Sequence, residues 1–386
     1  MQPDPLLPPL SLYVHLPWCE QKCPYCDFNS HPLRQVLPEE DYVKALLQDL
    51  EITALQAGGR ALCSVFFGGG TPSLFSAHSV AAVLESTHKL IGLADKAEIT
   101  LEANPGSANA KRFAAYRDAG VNRLSLGLQS FSDPQLKALG RIHDESQSRQ
   151  AVMAARDAGF EQINIDLMHG LPGQSTSAAA HDIESAIAFS PEHLSLYQLT
   201  IEPNTQFAAE PPPLPDEETC WQIRCTLEER AAGAGFERYE VSAFSRPVDR
   251  CRHNLNYWEF GDYIGIGAGA HAKITDRHGV RRYAREKHPR RYIETAVTGK
   301  LLPETHPVTG SELAFEFVLN ALRLKEGFSV TLFEQRTGLS WHCLSSAFEL
   351  AKDRGLLNIT NHQVCATTLG YRFLDDLVGL FLPTPA

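Results

Sequence analysis

The sequence predicts an α/β fold, namely a partial or complete (β/α) barrel followed by a small helical, winged-helix-like domain at the C-terminus. Two observations lead to this prediction. Short apolar runs alternate with helical stretches six times from Leu12 onward, and the last part of the chain combines helices with one hairpin. Strands that alternate with helices are typical of βαβ units and a parallel sheet.

The βα units can be read in chain order. Val43, Leu46, Leu47, Leu50 and Ala54 recur at helical spacing in the first helix, so one apolar stripe can pack against a sheet. The successive strands and helices are LYVHL with VKALLQDL, SVFF with SVAAVLES, EITLE with AKRFAAYRDAG, RLSLGL with QAVMAARDAG, INIDLM with DIESAIAF, and finally LSLYQL.

The remaining sequence predicts elements that flank the barrel and then a second domain. A helix is expected at 216–234, after the segment PPPLP, and short β pieces follow it. A break at LPETHPVT precedes helices at 312–324 and 344–354, a hairpin of LLNIT with VCATT, and a last helix that ends in DDLVGLFL. We therefore expect domains at 1–300 and 301–386.

Three cysteines stand in the loop after the first predicted strand. Cys19, Cys23 and Cys26 form the C-x3-C-x2-C pattern of WCEQKCPYC. Three thiolates can hold a 4Fe-4S cluster and leave one iron open to a substrate, whereas electron-transfer ferredoxins supply a fourth cysteine. The alternative is a zinc site completed by His15 or His31, but the second C-x2-C pair common in such sites is missing. The spacing favours chemistry at an iron–sulfur cluster.

Glycines and carboxylates follow the later strands, at the strand ends where a barrel carries its working residues. The sequence GGGTP at 68–72 follows the second strand, Glu102 ends the third, Gln129 follows the fourth and Asp166 ends the fifth. Glycine allows close approach of the backbone to an amino group, and carboxylates accept hydrogen bonds from ribose hydroxyls or an amine. GGGTP alone is only a tight turn. Beside an open cluster, the set predicts a pocket for S-adenosylmethionine (SAM).

The segments YVHLPWCEQKCPYCDFNS, FFGGGTPS, LEANP, NRLSLGLQSF, LGRIH and NIDLMHGLPGQ resemble the radical SAM family that includes oxygen-independent coproporphyrinogen III dehydrogenase. The resemblance implies that the three cysteines bind the cluster and that the fold is a radical SAM barrel. It also implies reductive cleavage of SAM to methionine and a 5'-deoxyadenosyl radical. The residues that it implies around SAM are Tyr13, Gly69, Gly70, Thr71, Glu102, Gln129, Arg141 and Asp166.

The hexapeptide HNLNYW distinguishes two branches of this family. His253, Asn254, Tyr257 and Trp258 match the HNxxYW signature of the haem chaperone branch, which binds haem and hands it to acceptor proteins, and FGDYIGIGAGAHAKI is also similar. The decarboxylating branch typically carries a longer N-terminal segment than the short one that precedes Tyr13 here. The resemblance therefore implies a haem chaperone, with oxidative decarboxylation of a porphyrinogen as the alternative.

The residue types in HNLNYW suit haem. A neutral imidazole such as that of His253 can be an axial ligand, Tyr257 and Trp258 can cover a porphyrin face, and Asn254 can orient the imidazole. Without the resemblance, a hydrogen-bonded turn with core aromatics explains the segment better than haem binding does; the resemblance reverses this preference. The sequence also leaves open whether SAM is consumed or acts as a ligand that changes the conformation.

Composition limits the partners. The chain has 35 Lys and Arg against 46 Asp and Glu, a formal charge of −11, which disfavours a nucleic-acid partner. Nine cysteines without a recognisable export signal indicate a cytoplasmic protein. The expected partners are haem, haem-acceptor proteins and an electron donor for the cluster. Peripheral contact with the inner face of the membrane, through RRYAREKHPRR or DDLVGLFL, is a less favoured expectation, because packed or solvated helix faces explain both segments more simply.

Overall fold

The computed structural model describes residues 7–107, 109–299, 301 and 303–383. The strands of the barrel and its extensions, in chain order, are β1 (Leu10–Leu16), β2 (Trp18–Cys19), β3 (His31–Pro32), β4 (Leu62–Gly69), β5 (Leu93–Ala103), β6 (Arg123–Gln129), β7 (Gln162–His169), β8 (His193–Gln198), β9 (Glu237–Arg238), β10 (Ala243–Ser245), β11 (Asp262–Ile266), β12 (His271–Asp276), β13 (Gly279–Ala284) and β14 (His306–Val308).

The central sheet is an open barrel. Within the described residues its strand order is β14-β13-β12-β11-β1-β4-β5-β6-β7-β8-β10-β9. The neighbours from β11 through β1 and β4 to β8 run parallel, and the short strands at both edges pair antiparallel. The six predicted strands are β1 and β4 to β8, and β11 adds a parallel partner on the other side of β1. The predicted α/β barrel is therefore confirmed, in its partial form.

Helices cover the outer face of this sheet. Those of the barrel region are α1 (Glu39–Thr53), α2 (Ala77–Leu90), α3 (Ala110–Asp118), α4 (Asp133–Ala138), α5 (Glu145–Asp157), α6 (Thr176–Ile187), α7 (Gln206–Ala209), α8 (Glu217–Gly233), α9 (Arg252–Trp258) and α10 (Pro289–Val297). Polar side chains accept hydrogen bonds from backbone N–H groups where helices begin, such as Ser76 at α2, Asp144 at α5 and Asp216 at α8. In the described part of the chain, no helix is long and apolar enough to cross a bilayer.

Each parallel strand places apolar and polar side chains on opposite faces. In β1, Leu12 and Val14 are buried in the core beneath the helices, whereas Ser11, Tyr13 and His15 alternate with them. The same alternation is present in β4 to β8. The barrel interior is consequently polar, and its side chains can interact with one another or with a ligand.

The predicted stripe on the first helix is buried as expected. Leu46 and Leu50 of α1 are fully buried, and Val43 and Leu47 pack half-buried against the same core. A buried ion cluster then holds β11 and β12 together, because Asp262 pairs with Arg60 at 2.7 Å and with Lys273 at 2.9 Å. These contacts fix the wall of the barrel that β11 forms.

The C-terminal region has its own apolar core. Its elements are α11 (Gly310–Ala321), β15 (Phe328–Ser329), α12 (Val330–Thr337), α13 (Ser345–Asp353), β16 (Leu357–Thr360), β17 (Gln363–Ala366), α14 (Thr368–Arg372) and α15 (Leu374–Gly379). The predicted helices and hairpin are confirmed, and β15 and α12 are additional. Phe317 and Phe333 are central to this core, which also includes Phe260 from just after α9. The boundary at residues 300 and 301 remains a prediction, and Lys300 and Leu302 lie outside the described residues.

Candidate functional site

The three cysteines lie in one loop that follows β1. Cys19 is the last residue of the short strand β2, and the Cys26 N–H donates to the Cys23 carbonyl at 3.1 Å, which closes a turn between the other two. The Lys22 ammonium donates to the Ser30 carbonyl at 3.1 Å and holds the far side of the loop. The backbone thus brings the three thiols to one end of the barrel.

The thiols suit an iron–sulfur cluster. None of the nine cysteines forms a disulfide. Burial, with smaller contributions from Cys26 and Cys23, raises the pKa of Cys19 to about 11, so this thiol keeps its proton until a metal displaces it. An Arg141 N–H lies 3.6 Å from the Cys23 sulfur and can donate to a thiolate. Among the described residues, no three His, Cys, Asp or Glu side chains are grouped closely enough to hold a single metal ion.

The glycine loop after β4 is bonded directly to the cysteine loop. Gly70 donates its N–H to the Leu16 carbonyl at 2.8 Å, and Thr71 donates to the Trp18 carbonyl at 2.7 Å. A Cβ on Gly70 would lie 2.5 Å from the Trp18 carbonyl oxygen, and Gly69 has a φ of +120°. The two loops approach this closely because the positions have no side chains.

Gly70→Ala is expected to destabilise the protein by about 1–3 kcal/mol, because the added methyl group must push the two loops apart. Denaturant unfolding of the anaerobically purified protein measures the loss. Gly233→Ala is the matched control, since a Cβ at Gly233 meets no atom within 4 Å. Equal stabilities of the two variants would contradict the close approach of the loops.

Two carboxylates share the barrel interior. Burial and, to a smaller extent, the nearby Asp166 raise the pKa of Glu102 to about 8, although the Gly69 N–H, which donates to Glu102 at 3.3 Å, acts to lower it. Burial also raises the pKa of Asp166, which accepts hydrogen bonds from Ser125 at 3.2 Å and from Asn164 at 2.7 Å. Such a pair is suited to a cationic ligand that stabilises the ionised forms.

Three further predicted residues flank the carboxylates. The Tyr13 hydroxyl lies 3.0 Å from His15 Nδ1, and Gln129 has a left-handed φ of +69° at the end of β6. Arg141 donates to the Gly127 carbonyl at 2.7 Å, which places its guanidinium beside Gln129. Its buried Nε has no hydrogen-bond partner among the described residues.

A cavity of about 560 Å³ opens beside these groups. It brings together three of the predicted SAM residues, Tyr257 of the HNLNYW segment and three residues of the cysteine loop, whereas Gly70, Thr71, Gln129, Arg141 and Asp166 are outside its lining. Its lining residues are Tyr13, His15, Asp27, Phe28, Asn29, Gly69, Glu102, Tyr257, Tyr263, Gly269, His271 and Lys287. The size falls within the usual range for small-molecule sites.

The HNLNYW segment forms most of α9, which packs at the amino-terminal ends of β1 and β4. The buried His253 has its Nδ1 2.8 Å from the Ser64 hydroxyl, and its ring stacks on Phe66 with centroids 4.9 Å apart. Burial lowers the pKa of His253 to about 4, so the imidazole is neutral near pH 7. Asn254 is half-buried, and its side chain makes no hydrogen bond within the described residues.

The two aromatics of the segment point in different directions. Tyr257 stacks on Tyr263 with ring centroids 4.2 Å apart, and both line the cavity. Trp258 instead lies toward the C-terminal region, where the Arg323 guanidinium is 4.3 Å from the centroid of its ring. The four predicted haem residues therefore occupy one short helix but do not converge on a single face.

Several residues of the site were not among the predicted ones. His15, Asn29, Tyr263, His271 and Lys287 all line the cavity. His15 and His271 stand within quoted motifs, YVHLP and GAGAH, and the alternation of polar residues in β1 could have identified His15 as an interior group. Asn29 donates to the carbonyls of Ala268 at 2.8 Å and Lys287 at 2.9 Å, contacts that no sequence pattern indicates.

Comparison with known proteins agrees with this geometry. Residues 13–186 match the radical SAM superfamily model, and residues 308–373 match the HemN C-terminal domain model. The proteins named heme chaperone HemW from Haemophilus influenzae and Escherichia coli are each 46% identical to this chain, over 98% and 97% of it respectively and 99% of each relative.

A solved structure shares the fold. The Escherichia coli radical SAM enzyme coproporphyrinogen III oxidase (HemN) superposes with a TM-score of 0.83 at 23% identity, over 97% of this chain and 90% of that one. The superfamily match confirms the predicted cofactors of the barrel, a 4Fe-4S cluster and SAM. Because the similarity to the two chaperones spans nearly the whole of each chain, this chain belongs to the HemW family of radical SAM proteins.

Proposed function

We propose that this protein binds haem and delivers it to acceptor proteins, and that Cys19, Cys23 and Cys26 hold its 4Fe-4S cluster. The observation that carries the proposal is the near full-length similarity to proteins named heme chaperone HemW. The HemN likeness, at 23% identity, supports the fold and not the decarboxylation of a porphyrinogen. Haem is the cargo in this proposal, and the cluster and SAM are resident groups.

The chain's own residues have distinct roles around the cluster. The three cysteines ligate it, and the Arg141 N–H near Cys23 offsets negative charge on the sulfur. A cluster bound there supplies an open iron and one-electron reducing power.

For SAM we propose the set Tyr13, Gly69, Gly70, Thr71, Glu102, Gln129, Arg141 and Asp166. Glu102 and Asp166 accept hydrogen bonds from its amine or ribose hydroxyls, and the Arg141 Nε is a free donor for its carboxylate. Tyr13 keeps its proton, since burial raises its pKa well above the usual value. The glycines leave room for the ligand next to the cysteine loop.

For haem we propose the segment with His253, Asn254, Tyr257 and Trp258. Tyr257 lines the cavity, and the His253 ring lies directly behind it with centroids 5.1 Å apart. Trp258 stands at the border with the C-terminal region, where movement of that region can open or cover the segment. These positions support a role in the inner wall of the haem site.

The remaining partners follow from the same proposal. A cluster that cycles needs an electron donor, and haem delivery needs acceptor proteins. Free cysteines throughout the chain support a cytoplasmic location. Peripheral contact with the inner face of the membrane is proposed only as a means of reaching membrane-bound acceptors.

Haem titration of the anaerobically reconstituted protein is expected to give a saturable Soret band. The substitution His253→Ala is expected to weaken haem affinity about tenfold or more, because it removes the side chain that packs behind Tyr257. His181→Ala is the control, because His181 is exposed on α6. Absence of a Soret band in the wild type would overturn haem delivery. Conversion of coproporphyrinogen III to a decarboxylated product would establish the alternative.

A further inference from the structure

The outer side of the cysteine loop is open, whereas its inner side is covered. On the inner side, the glycine loop at 68–72 donates backbone N–H groups to the carbonyls of Leu16 and Trp18. On the outer side, residues 20–22 between the first two cysteines, and residues 27 and 28 after the third, are exposed. The rate of electron transfer falls steeply with distance. An electron that enters a cluster held by this loop therefore has its shortest route through the outer side.

Two neighbouring segments extend this outer side. The strand β3, which begins at His31, pairs with β2 of the cysteine loop. The connection that follows β13 lies next to it, because the rings of His31 and His288 have their centroids 5.8 Å apart. Further along, Arg290 Nη2 lies 3.5 Å from the side-chain oxygen of Gln35. The loop, the segment after it and this connection thus form one continuous surface.

The charged side chains of this surface are mostly cationic. Within residues 20–37 and 286–291, the carboxylates are Glu20, Asp27 and Glu286. The Lys and Arg side chains of the same residues are more numerous and all exposed, although the chain as a whole has a formal charge of −11. We call these cations the basic patch, which consists of Lys22, Arg34, Lys287, Arg290 and Arg291.

The basic patch fits an acidic protein partner. The negative charge of the whole chain repels such a partner, and a local group of cations steers it to one face. Phe28, 65% exposed, stands beside Lys22, whose ammonium donates to the Phe28 carbonyl at 3.1 Å. An aromatic side chain within a charged rim is typical of protein interfaces. Complexes between electron-transfer proteins are small, below about 1,200 Å², so a patch of this kind is enough.

A bilayer with anionic lipids is the other partner that a group of cations can meet. Asp27 and Glu286 argue against it, because a uniformly anionic surface repels carboxylates, whereas a protein can place cations opposite them. Lys22 also stands between Cys19 and Cys23, two of the proposed cluster ligands. That position serves a redox partner and gives no advantage in lipid binding. The observations therefore favour a protein.

We propose that the basic patch is the docking surface of an acidic one-electron donor protein, which carries a reduced flavin or iron–sulfur centre. One electron passes from that centre to the oxidised 4Fe-4S cluster, so the donor is oxidised by one electron and the cluster is reduced by one. No covalent bond forms or breaks. The inference rests on the proposed cluster at Cys19, Cys23 and Cys26, and not on haem delivery. It adds the position and the charge of the partner that the cluster needs.

Reduction by an acidic flavodoxin in its hydroquinone form tests the proposal on the full-length holoprotein with SAM bound. Anaerobic stopped-flow absorbance measures the second-order rate constant of cluster reduction, and surface plasmon resonance measures flavodoxin binding. The double substitution Arg290→Glu and Arg291→Glu is expected to lower both the rate constant and the affinity about tenfold or more at low salt, and less at high salt. The double substitution Lys352→Glu and Arg354→Glu is the matched control, because both residues are exposed in the C-terminal region.

A small reductant separates docking from the cluster itself. Photoreduced deazaflavin is expected to reduce the wild type and the Arg290 and Arg291 variant at the same rate, with equal iron and sulfide contents. Equal rate constants of the two proteins with flavodoxin would overturn the docking surface, as would equal slowing with deazaflavin or a wild-type cluster that flavodoxin does not reduce. Binding to phosphatidylglycerol vesicles that the variant loses, with unchanged reduction by flavodoxin, would assign the patch to a membrane instead. A wild-type protein without iron and sulfide would remove the proposed cluster itself.

Discussion

Cys23→Ser is expected to abolish the iron–sulfur cluster, and with it the reductive cleavage of SAM. Only three cysteines stand between β1 and β4, so each would supply one third of the protein ligands. A serine hydroxyl is a poor substitute for a thiolate. Cys23 also carries the contact with Arg141, so its loss leaves a buried guanidinium without its sulfur partner. Iron and sulfide analysis after anaerobic reconstitution, together with 5'-deoxyadenosine formation, measures the effect.

Cys225→Ser is the matched control, because Cys225 is exposed on α8 and stands outside the cysteine loop. It is expected to keep the wild-type iron and sulfide content. A Cys23→Ser protein that retained a complete cluster would refute the ligand assignment. Bound zinc with no sulfide in the wild type would refute the cluster at this loop altogether.

Glu102→Gln is expected to weaken SAM binding by roughly ten- to a hundredfold, the usual range for losing a hydrogen bond to a charged group. Asp166, Tyr13 and Tyr197 face this carboxyl; Asp166 raises its pKa, and burial keeps the two phenols neutral. Since the pKa of Glu102 is about 8, SAM affinity in the wild type should rise about fivefold from pH 7 to pH 8 as the carboxylate ionises. Isothermal titration calorimetry between pH 7 and pH 8 measures the SAM affinity. The affinity of Glu102→Gln should not change with pH over this range.

The same substitution is expected to stabilise the protein without SAM. Because the pKa of Glu102 is raised in the folded chain, the folded protein keeps a proton that the unfolded chain releases above pH 4.5. This carboxyl group therefore destabilises the folded state, and its effect grows as the pH rises from 4.5 to about 8. The free energy of unfolding of Glu102→Gln should therefore exceed that of the wild type by about 1–3 kcal/mol at pH 8 and by little at pH 4.5. The gain at pH 8 is smaller than the free energy equivalent of the whole pKa shift, because the cavity admits water. Glu161→Gln, at an exposed site, should show neither effect. A Glu102→Gln protein with unchanged stability and affinity would contradict a buried ligand-binding role.

The sequence contained most of the information needed for the cluster side of the site. Parallel strands bring their carboxyl ends to one edge, so Glu102 and Asp166 could be placed together from strand order alone. In β1, Leu12 and Val14 pack in the core beneath the helices, while Tyr13 between them lines the cavity. The predicted strands as a set lack strict alternation, so the polar interior could not be predicted from their period.

The haem side could not be placed in the same way. The direction of each HNLNYW side chain depends on how α9 packs across the amino-terminal ends of β1 and β4. This packing joins segments that are nearly 190 residues apart in the chain, as the contact between His253 and Ser64 shows. The pairing of β11 with β1, such as that of Leu10 with Asp262, joins residues even further apart in the chain. In the C-terminal region α12 was not predicted, although Ser329 caps its start and Gly338, with a φ of +69°, ends it.

The amide of Asn29 spans the gap between the cysteine loop and the connection that precedes His271. Its nitrogen donates to the Ala268 carbonyl of that connection and to the Lys287 carbonyl after β13. Gly269 has no room for a side chain, because a Cβ would lie 2.3 Å from the same nitrogen. One amide therefore ties three separate stretches of the chain into a single rim at this end of the barrel.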